Sequence, residues 1–323
     1  MTTLPKSLRI GVLRGGPSPE YEVSLQTGAN ILNALSETHK PLDIFISRDG
    51  TWHMLGVPRS IEKILPQVDV VYNALHGSYG EDGTVQKILE HHHLPYTGAD
   101  SFASAICMNK ALSKEIFLKN GLLTPRYTVF KRNNDLKDKT LEIFKSFVMP
   151  VIVKPISAGS SVGVFICKTP GEISQAIVEA MKYSSSVLIE EFITGREATC
   201  GVIDSFRGED IYALPPVEIR HNRDFFDYDA KYRNKSEEIV PSHFSADEKK
   251  EIERLAKLAH KSLNLRHYSR SDFIVSPRGI FILETNSLPG LMNDSILDKS
   301  LSAVGVTMSH LLHHIIVLAI EGK

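Results

Sequence analysis

The chain has 323 residues, 42% of them hydrophobic and 23% charged, and its formal net charge is −1. A chain of this length is longer than a single hydrophobic core usually accommodates, so we expect two or three packed units. The balanced charge gives no indication of a basic surface that would bind nucleic acid. No apolar run approaches the roughly 20 residues of a membrane helix. The N-terminus lacks the apolar region of a signal peptide. The cysteines Cys107, Cys167 and Cys200 fit neither a zinc pattern nor a disulfide framework, which favours a reducing cytoplasm.

The N-terminal part of the chain predicts alternating strands and helices. The runs SLRIGVLRGG, PLDIFISRDG and VDVVYNALHG have the character of buried strands, whereas EVSLQTGANILNALSET and GTVQKILEHHH have helical spacing. This βαβ order predicts a parallel sheet with ligands beyond the carboxyl ends of its strands. The triplet His91-His92-His93 could be offered as a metal site, but a solvated helix end is the favoured interpretation.

The next segments predict a second unit and a third. One lysine-containing helix, FASAICMNKALSKEIFLKNGL, is followed by the strands RYTVF and VMPVIVKP. The loop in VKPISAGSSVGV joins two apolar runs and is either a hairpin with a soft tip or a cover over phosphates. Further strands, REATCGVIDSF and DIYALPPVEI, precede the charged helix SADEKKEIERLAKLAHKSL. Residues 220–242 lack periodicity, so they form either a surface Ω-loop or a lid.

Acidic side chains are concentrated near the end of the chain. SRSDFIV and FILETNS are separated by a short SPRG turn, so we expect a hairpin. Glu284 and Asn286 share one face of their strand, and if Asp272 faces the same side, three oxygen ligands converge in a set that suits Mg²⁺. Arg270 lies two residues from Asp272 and could clamp an anion there. The alternative is a set of solvent-facing charges on an edge hairpin.

Two lysines lie where phosphates could bind. Lys154 ends a strand just before the Gly/Ser loop, and Lys110 lies in MNKALSK. Neither a P-loop nor a dinucleotide fingerprint is present. The strand end VLIEEFITG offers backbone groups for an adenine edge and carboxylates for a ribose, with Phe192 as a packing surface. Together with the acidic set, these features indicate a nucleotide site assembled from several elements.

With these motifs in place, the chain resembles the D-alanine–D-alanine ligases of the ATP-grasp superfamily. The resemblance runs nearly from end to end, in the family's order and approximate spacing, through the stretches GGPSPEYEVSL, ALHGSYGEDGTVQ, MNKALSK, VIVKPISAGSSVGV, VLIEEFITGRE, FFDYDAKY, RSDF and ETNSLPG. It implies an α/β fold of the ATP-grasp type with three α/β domains. These would be an N-terminal parallel-sheet substrate domain (1–100), a central lid domain (101–190) and a C-terminal catalytic domain (191–323). The nucleotide would bind between the central and C-terminal domains.

The resemblance also implies roles for individual residues. The implied ATP-binding residues are Lys110, Lys154, Ser160, Ser161, Glu190, Glu191, Phe192, Ile193, Glu197 and Lys231. The implied D-alanine-binding residues are Glu20, Val23, Ser24, His76, Gly290, Ser295 and Ile296. Asp272, Glu284 and Asn286 would hold two Mg²⁺ ions, with Mn²⁺ able to substitute. The implied catalytic residues are Glu20, Ser160, Tyr232, Arg270 and Ser295. Among these, Glu20, Ser160 and Tyr232 would form a hydrogen-bonded link that closes loop and lid, and Arg270 would stabilise the tetrahedral intermediate.

The implied reaction joins two D-alanine molecules through an acyl phosphate, with ATP converted to ADP and phosphate, for peptidoglycan precursor synthesis. The implied enzyme is a cytoplasmic homodimer with no nucleic-acid or membrane partner. Tyr232 within DYDAKY favours an amine acceptor. The segment LMNDS departs from the family, which commonly has threonine at the position of Met292 and often histidine near Asp294. This departure motivates one alternative, a related carboxylate–amine ligase with a different acceptor. A separate alternative is a non-catalytic nucleotide-binding relative.

Overall fold

The computed structural model describes residues 8–36, 39–159, 162–220 and 237–322. The predicted site residues Ser160, Ser161, Lys231 and Tyr232 lie outside these ranges. The strands are β1 (Ile10–Gly15), β2 (Leu42–Ile46), β3 (Trp52–Met54), β4 (Val57–Pro58), β5 (Val70–Asn73), β6 (Tyr127–Lys131), β7 (Val151–Pro155), β8 (Phe165–Cys167), β9 (Ser186–Glu191), β10 (Arg196–Phe206), β11 (Glu209–Ala213), β12 (Val217–Arg220), β13 (Glu237–Ile239), β14 (Tyr268–Ser276) and β15 (Gly279–Asn286). The helices are α1 (Tyr21–Ser36), α2 (Ile61–Ile64), α3 (Thr84–His91), α4 (Ser101–Met108), α5 (Lys110–Lys119), α6 (Leu136–Ser146), α7 (Pro170–Ala180), α8 (Ala246–Ser262), α9 (Ile296–Ala303) and α10 (Met308–Glu321).

The N-terminal sheet has the order β4-β3-β2-β1-β5. Its β2, β1 and β5 strands are parallel, as predicted, while the short β3 and β4 strands add an antiparallel edge. Because β1 and β5 run in the same direction, the segments after both strands meet at one edge of the sheet. Those segments contain Glu20 and His76. The helix α3 ends at His91, with His92 as its C-cap, which agrees with the interpretation of the histidine triplet as a helix end.

The second sheet is antiparallel and has the order β6-β9-β7-β8. The α6 and α7 helices pack against each other, and α7 covers β7 and β8, so the apolar faces of the strands are buried under α-helical side chains. Strand β7 pairs with β8 from Val151 opposite Cys167 to Val153 opposite Phe165. The predicted strand–loop–strand arrangement around VKPISAGSSVGV is therefore confirmed.

The third sheet has the order β13-β12-β10-β14-β15, with β11 also paired to β10. The predicted single strand DIYALPPVEI is wrong, because the chain forms two strands, β11 and β12, separated at Pro215 and Pro216. Proline has no N–H for a ladder hydrogen bond, which explains the interruption. Each strand pairs with a different part of β10. The predicted β14–β15 hairpin is confirmed.

The predicted long helix around MNKALSK is also divided. Asn109 has an extended backbone between α4 and α5, and its side chain accepts a hydrogen bond from the Leu112 backbone N–H at 3.1 Å. Asparagine favours this N-cap position over a helix interior, so the prediction of one continuous helix is wrong. Both helices pack on the third sheet, and the new helix start places Lys110 beside β15.

One apolar core joins the two ends of the chain. It includes Ile31 of α1 and Val70 of β5 together with Leu297 of α9 and Ile315 of α10. Within the described residues, no single helix is long and apolar enough to span a membrane; α9 and α10 pass that test only as a pair bent by 100°. The shared core fixes the carboxyl edge of the parallel sheet against one face of the third sheet.

Candidate active site

A cavity of about 360 Å³ lies where the first and third sheets and the β7–β8 loop meet. This volume falls in the range of small-molecule sites. Most of the predicted substrate and metal residues line it, together with the predicted ATP-binding residue Lys110 and the predicted catalytic residue Arg270. The substrate and metal residues come from distant parts of the sequence: Glu20, Val23, His76, Asp272, Glu284, Asn286, Gly290, Ser295 and Ile296.

The β14–β15 hairpin supplies the polar wall of the cavity. Asp272 lies directly opposite Glu284, and Arg270 lies opposite Asn286, with a register shift just after Asp272. Residues at these alternating positions project from one face of the sheet. Asp272 therefore lies on the same face of the sheet as Glu284 and Asn286, as the predicted metal site requires.

Two cations and one hydroxyl hold the two carboxylates in place. Arg270 donates through Nε and Nη2 to Asp272 at 3.1 and 3.3 Å, and Thr199 Oγ1 donates to the same carboxylate at 2.5 Å. Lys110 Nζ lies 3.0 Å from Glu284 Oε2. Burial raises the pKa of Glu284, but Lys110, Lys154 and Arg270 outweigh this effect and hold its pKa at about 2. Glu284 is therefore ionised at neutral pH without a bound metal.

This donor set fits a hard divalent cation. Mg²⁺ prefers oxygen ligands and needs only one or two carboxylates when substrate phosphates complete its shell. Asp272 and Glu284 supply the carboxylates, and Asn286 Oδ1 supplies an amide oxygen that already accepts the Leu288 N–H at 2.9 Å. Across the described ranges, no three His, Cys, Asp or Glu side chains converge on one point. The remaining ligands would thus be water and substrate oxygens.

Replacing Lys110 with methionine is expected to raise the pKa of Glu284, because the nearest cation is lost while burial remains. In the wild type, the folded-state pKa lies below the unfolded value, so ionised Glu284 stabilises the fold above the unfolded pKa. This stability is lost as the pH falls through about 2. Denaturant unfolding between acidic and neutral pH should show a weaker pH dependence for the variant. The same slope in both proteins would contradict this expectation.

The carboxyl edge of the parallel sheet forms the opposite wall. His76 is buried, its Nε2 lies 2.9 Å from Thr27 Oγ1 and its Nδ1 lies 3.6 Å from Glu81 Oε1. Glu81 also accepts the Gly77 backbone N–H at 2.8 Å and lines the cavity. Glu81 lies within the stretch ALHGSYGEDGTVQ, but its role in the site was not predicted from the sequence. Its position in a polar loop after a buried strand was the available signal.

Ser24 lies behind this wall rather than in it. Its hydroxyl accepts the Gly15 N–H and donates to the Ala74 carbonyl, both at 2.8 Å, and the residue is fully buried. These two bonds connect α1 to the ends of β1 and β5. The Ser24 side chain thus positions the first turn of α1, which contains Val23, and Glu20 just before it.

The β7–β8 loop approaches both walls. The Ala158 carbonyl accepts a hydrogen bond from Lys110 Nζ at 2.8 Å. At Gly159, an added Cβ would lie 2.5 Å from Glu20 Oε2, so the loop backbone rests against that carboxylate. Glycine permits this close approach because it has no side chain.

The far end of the cavity is formed by the segment after β15. Ser295 is the N-cap of α9, and its hydroxyl accepts the Asp298 N–H at 3.4 Å. Met292 lines the cavity, whereas Asp294 is exposed and has a φ of 60°. The repulsion that an inward Asp294 would impose on a carboxylate is therefore avoided. Glu238 of β13 also lines this end and pairs with Lys299 at 2.8 Å.

The predicted nucleotide residues form a second cluster on β7, β9 and the segment after β9. Lys154 Nζ lies 2.6 Å from Glu190 Oε1, and both residues are buried. Glu191 pairs with Arg278 of the β14–β15 turn at 3.2 Å. Phe192 and Ile193 follow, with Ile193 packed on Ile274 and Phe281. Glu197 lies in β10 of the third sheet. These predicted nucleotide residues therefore come from the second and third sheets and the segment that joins them.

Sequence reasoning missed one member of this cluster. Lys114 Nζ lies 2.8 Å from Glu190 Oε2 and donates to Thr124 Oγ1 at 2.6 Å. Lys110 and Lys114 are four residues apart on α5, so they share one helix face. That spacing in MNKALSK was the signal that could have identified it.

Comparisons with known proteins indicate one family over most of the chain. The family model "D-ala D-ala ligase N-terminus" matches residues 9–64 and 56–99, and "D-ala D-ala ligase C-terminus" matches residues 116–317. The D-alanine–D-alanine ligase of Geotalea uraniireducens is 38% identical over 97% of this chain and 96% of that protein. The corresponding ligase of Clostridium beijerinckii is 36% identical over 96% and 97%.

Solved structures show the same relationship. The D-alanine–D-alanine ligase from Coxiella burnetii superposes with a TM-score of 0.85 at 28% identity, covering 98% of this chain and 95% of that one. The VanG D-Ala:D-Ser ligase from Enterococcus faecalis also has a TM-score of 0.85, at 30% identity, covering 97% and 99%. The fold is therefore shared by ligases whose names specify different acceptors.

Proposed function

The chain belongs to the D-alanine–D-alanine ligase family, and we propose that it joins two D-alanine molecules with conversion of ATP to ADP and phosphate. The observation that carries this proposal is the pair of facing carboxylates, Asp272 and Glu284, in a cavity bounded by Glu20, the β7–β8 loop and Ser295. Its product would be a peptidoglycan precursor.

The first chemical step would activate a carboxylate. The Glu20 carboxylate suits the ammonium group of the first D-alanine, and Lys110 and Lys154 suit the phosphates of ATP. The D-alanine carboxylate oxygen attacks the γ-phosphorus, which gives an acyl phosphate and ADP. Positioning and charge neutralisation supply most of the catalysis for such transfers.

The second step would form the amide bond. The amine of the second D-alanine attacks the acyl carbon, and inorganic phosphate leaves from the tetrahedral intermediate. Arg270 lies on the polar wall of the cavity, so its guanidinium can neutralise the oxyanion of this intermediate. Ser295 and the Gly290 backbone would hold the second carboxylate, and the Ile296 side chain would limit the size of the acceptor. The β7–β8 loop would exclude water from the acyl phosphate.

Asp272, Glu284 and Asn286 would hold two Mg²⁺ ions, for which Mn²⁺ could substitute. When bound there, the ions would neutralise negative charge on the phosphates of ATP. We further propose three domains, 1–100, 101–190 and 191–323, with the nucleotide between the second and third. We also propose that Ser160, Ser161 and Lys231 bind ATP, and that Ser160 and Tyr232 form with Glu20 the hydrogen-bonded link that closes loop and lid. The enzyme would be a cytoplasmic homodimer that acts on D-alanine and ATP and binds neither nucleic acid nor membrane.

Incubation of the purified protein with ATP, Mg²⁺ and D-alanine tests this function. The expected result is phosphate release together with a product of the mass of D-alanyl-D-alanine. Phosphate release only after a different amine is added, with D-serine as the first acceptor to try, would favour the alternative ligase. Met292 and the shared fold of the VanG D-Ala:D-Ser ligase motivate that comparison. Nucleotide binding without any turnover would favour the non-catalytic alternative.

A further inference from the structure

Lys114 is a buried cation that is not among the residues lining the cavity. Its side chain is 0% exposed, its ammonium lies 2.8 Å from Glu190 Oε2, and it donates to Thr124 Oγ1 at 2.6 Å. The Thr124 hydroxyl in turn donates to the Ile282 carbonyl of β15 at 2.9 Å. Strand β6 contributes the Tyr127 ring, whose centroid lies 5.7 Å from the ammonium. Groups on β6, β9 and the segment before β6 therefore surround this ammonium, and Thr124 connects it to β15.

Glu190 lies between two lysines. Its Oε1 is 2.6 Å from Lys154 Nζ, and its Oε2 faces Lys114. Burial lowers the pKa of Lys114 to about 8 in spite of the attraction of Glu190, so this ammonium is charged at neutral pH. Glu190 is ionised as well, because its two lysines outweigh the effect of burial and lower its pKa. One carboxylate thus faces two cations, and the cluster carries one excess positive charge.

Lys154 and Lys114 differ in their position and in the exposure of their side chains. Lys154 lies at the end of β7, where the Gly/Ser loop begins, and its side chain is 8% exposed. If Glu190 had only Lys154 as its counter-cation, transfer of that ammonium to a phosphate would leave a buried carboxylate unpaired, which is strongly unfavourable. Lys114 removes this obstacle because it keeps Glu190 paired when Lys154 departs.

We propose that Lys114 is a positioning residue for the nucleotide phosphates: it is the permanent counter-cation of Glu190 and leaves Lys154 available to bind a phosphate oxygen. This inference rests on the proposed ATP-dependent function. On this proposal, Lys114 affects the affinity only for ligands that carry phosphate groups. A purely structural lysine would affect the stability of the protein without distinguishing ligands that have phosphates from those that lack them.

The test compares ADP with adenosine, which has the same base and ribose but no phosphate. For Lys114→Met at neutral pH, calorimetry is expected to show an ADP affinity reduced about tenfold, a change of about 1.4 kcal/mol, with adenosine affinity retained. Lys114→Gln keeps a hydrogen-bond donor for Glu190 and serves as the second variant if the methionine variant does not fold. The same fall is expected there because the charge is absent.

The decisive control is the double variant Lys114→Met/Glu190→Gln. Removing the carboxylate together with its counter-cation releases Lys154 again, so the ratio of ADP to adenosine affinity should return to within about threefold of the wild-type ratio. The ratio cancels any change in base binding caused by the loss of Glu190. An unchanged ratio in both single variants at Lys114, or no recovery in the double variant, would overturn the inference. A wild-type protein that binds ADP but forms no dipeptide would count against the proposed function and leave this comparison intact.

Discussion

Replacing Glu284 with glutamine is expected to lower the rate of dipeptide formation by about three orders of magnitude, or about 4 kcal/mol in the activation free energy. Glutamine preserves the shape and one oxygen of the side chain but removes the charge. Glu284 faces Asp272 across the β14–β15 pair and has a pKa of about 2, so the wild type offers a metal a ligand that needs no deprotonation. The variant also leaves Lys110 without its carboxylate partner, 3.0 Å away in the wild type.

Phosphate release measured over a series of Mg²⁺ concentrations checks this prediction. The Mg²⁺ concentration that gives the half-maximal rate should rise, and the maximal rate should fall, because a metal ligand is weakened. Glu142→Gln is a matched control, since Glu142 is an exposed residue of α6 that pairs with Lys139 at 2.7 Å, outside the cavity lining. A Glu284→Gln enzyme within about tenfold of the wild-type rate at saturating Mg²⁺ would contradict the metal assignment.

The sequence predicted the strands that position the site, because their signals are local. Buried parallel strands are continuous apolar runs, and the β14–β15 hairpin has alternating polar residues on either side of a short turn. The facing of Asp272 and Glu284 follows from that hairpin once its register is known. Alternation alone could not provide the register, which depends on the two-residue turn and on the irregularity just after Asp272.

The errors arose where a local signal had two meanings. Asn109 occurs within a helical pattern, and only the observed cap shows that it divides α4 from α5. Pro215 and Pro216 were included in a predicted strand although neither can donate a ladder hydrogen bond. Lys114 was overlooked because a lysine on a helix is usually solvated. Its burial depends on Glu190, 76 positions later in the sequence, and on Thr124, and no local pattern encodes that contact.

Replacing Gly159 with alanine is expected to reduce kcat/KM for D-alanine about 100-fold while leaving ADP affinity near the wild-type value. An ideal Cβ at this position lies 2.5 Å from Glu20 Oε2 and 3.2 Å from Glu20 Cδ. Gly159 has no positive φ, so alanine adds no backbone strain, and the change acts through this contact. Either the Glu20 carboxylate or the loop must move. Movement of the carboxylate displaces the group proposed to hold the first D-alanine, and movement of the loop changes the cavity wall beside that group. Lys154 instead pairs with Glu190 of β9.

Steady-state kinetics with varied D-alanine, together with calorimetry of ADP binding, separates these two effects. Gly171→Ala is the matched control, because nothing lies within 4 Å of the Cβ that it adds, and its kinetics should equal those of the wild type. If Gly159→Ala weakened ADP binding as strongly as it weakened D-alanine turnover, the loop would be acting mainly on the nucleotide. If it changed neither, the close approach to Glu20 would have no role in turnover. The expected split, with D-alanine affected and ADP spared, would connect the loop to the amino-acid substrate through a single carboxylate.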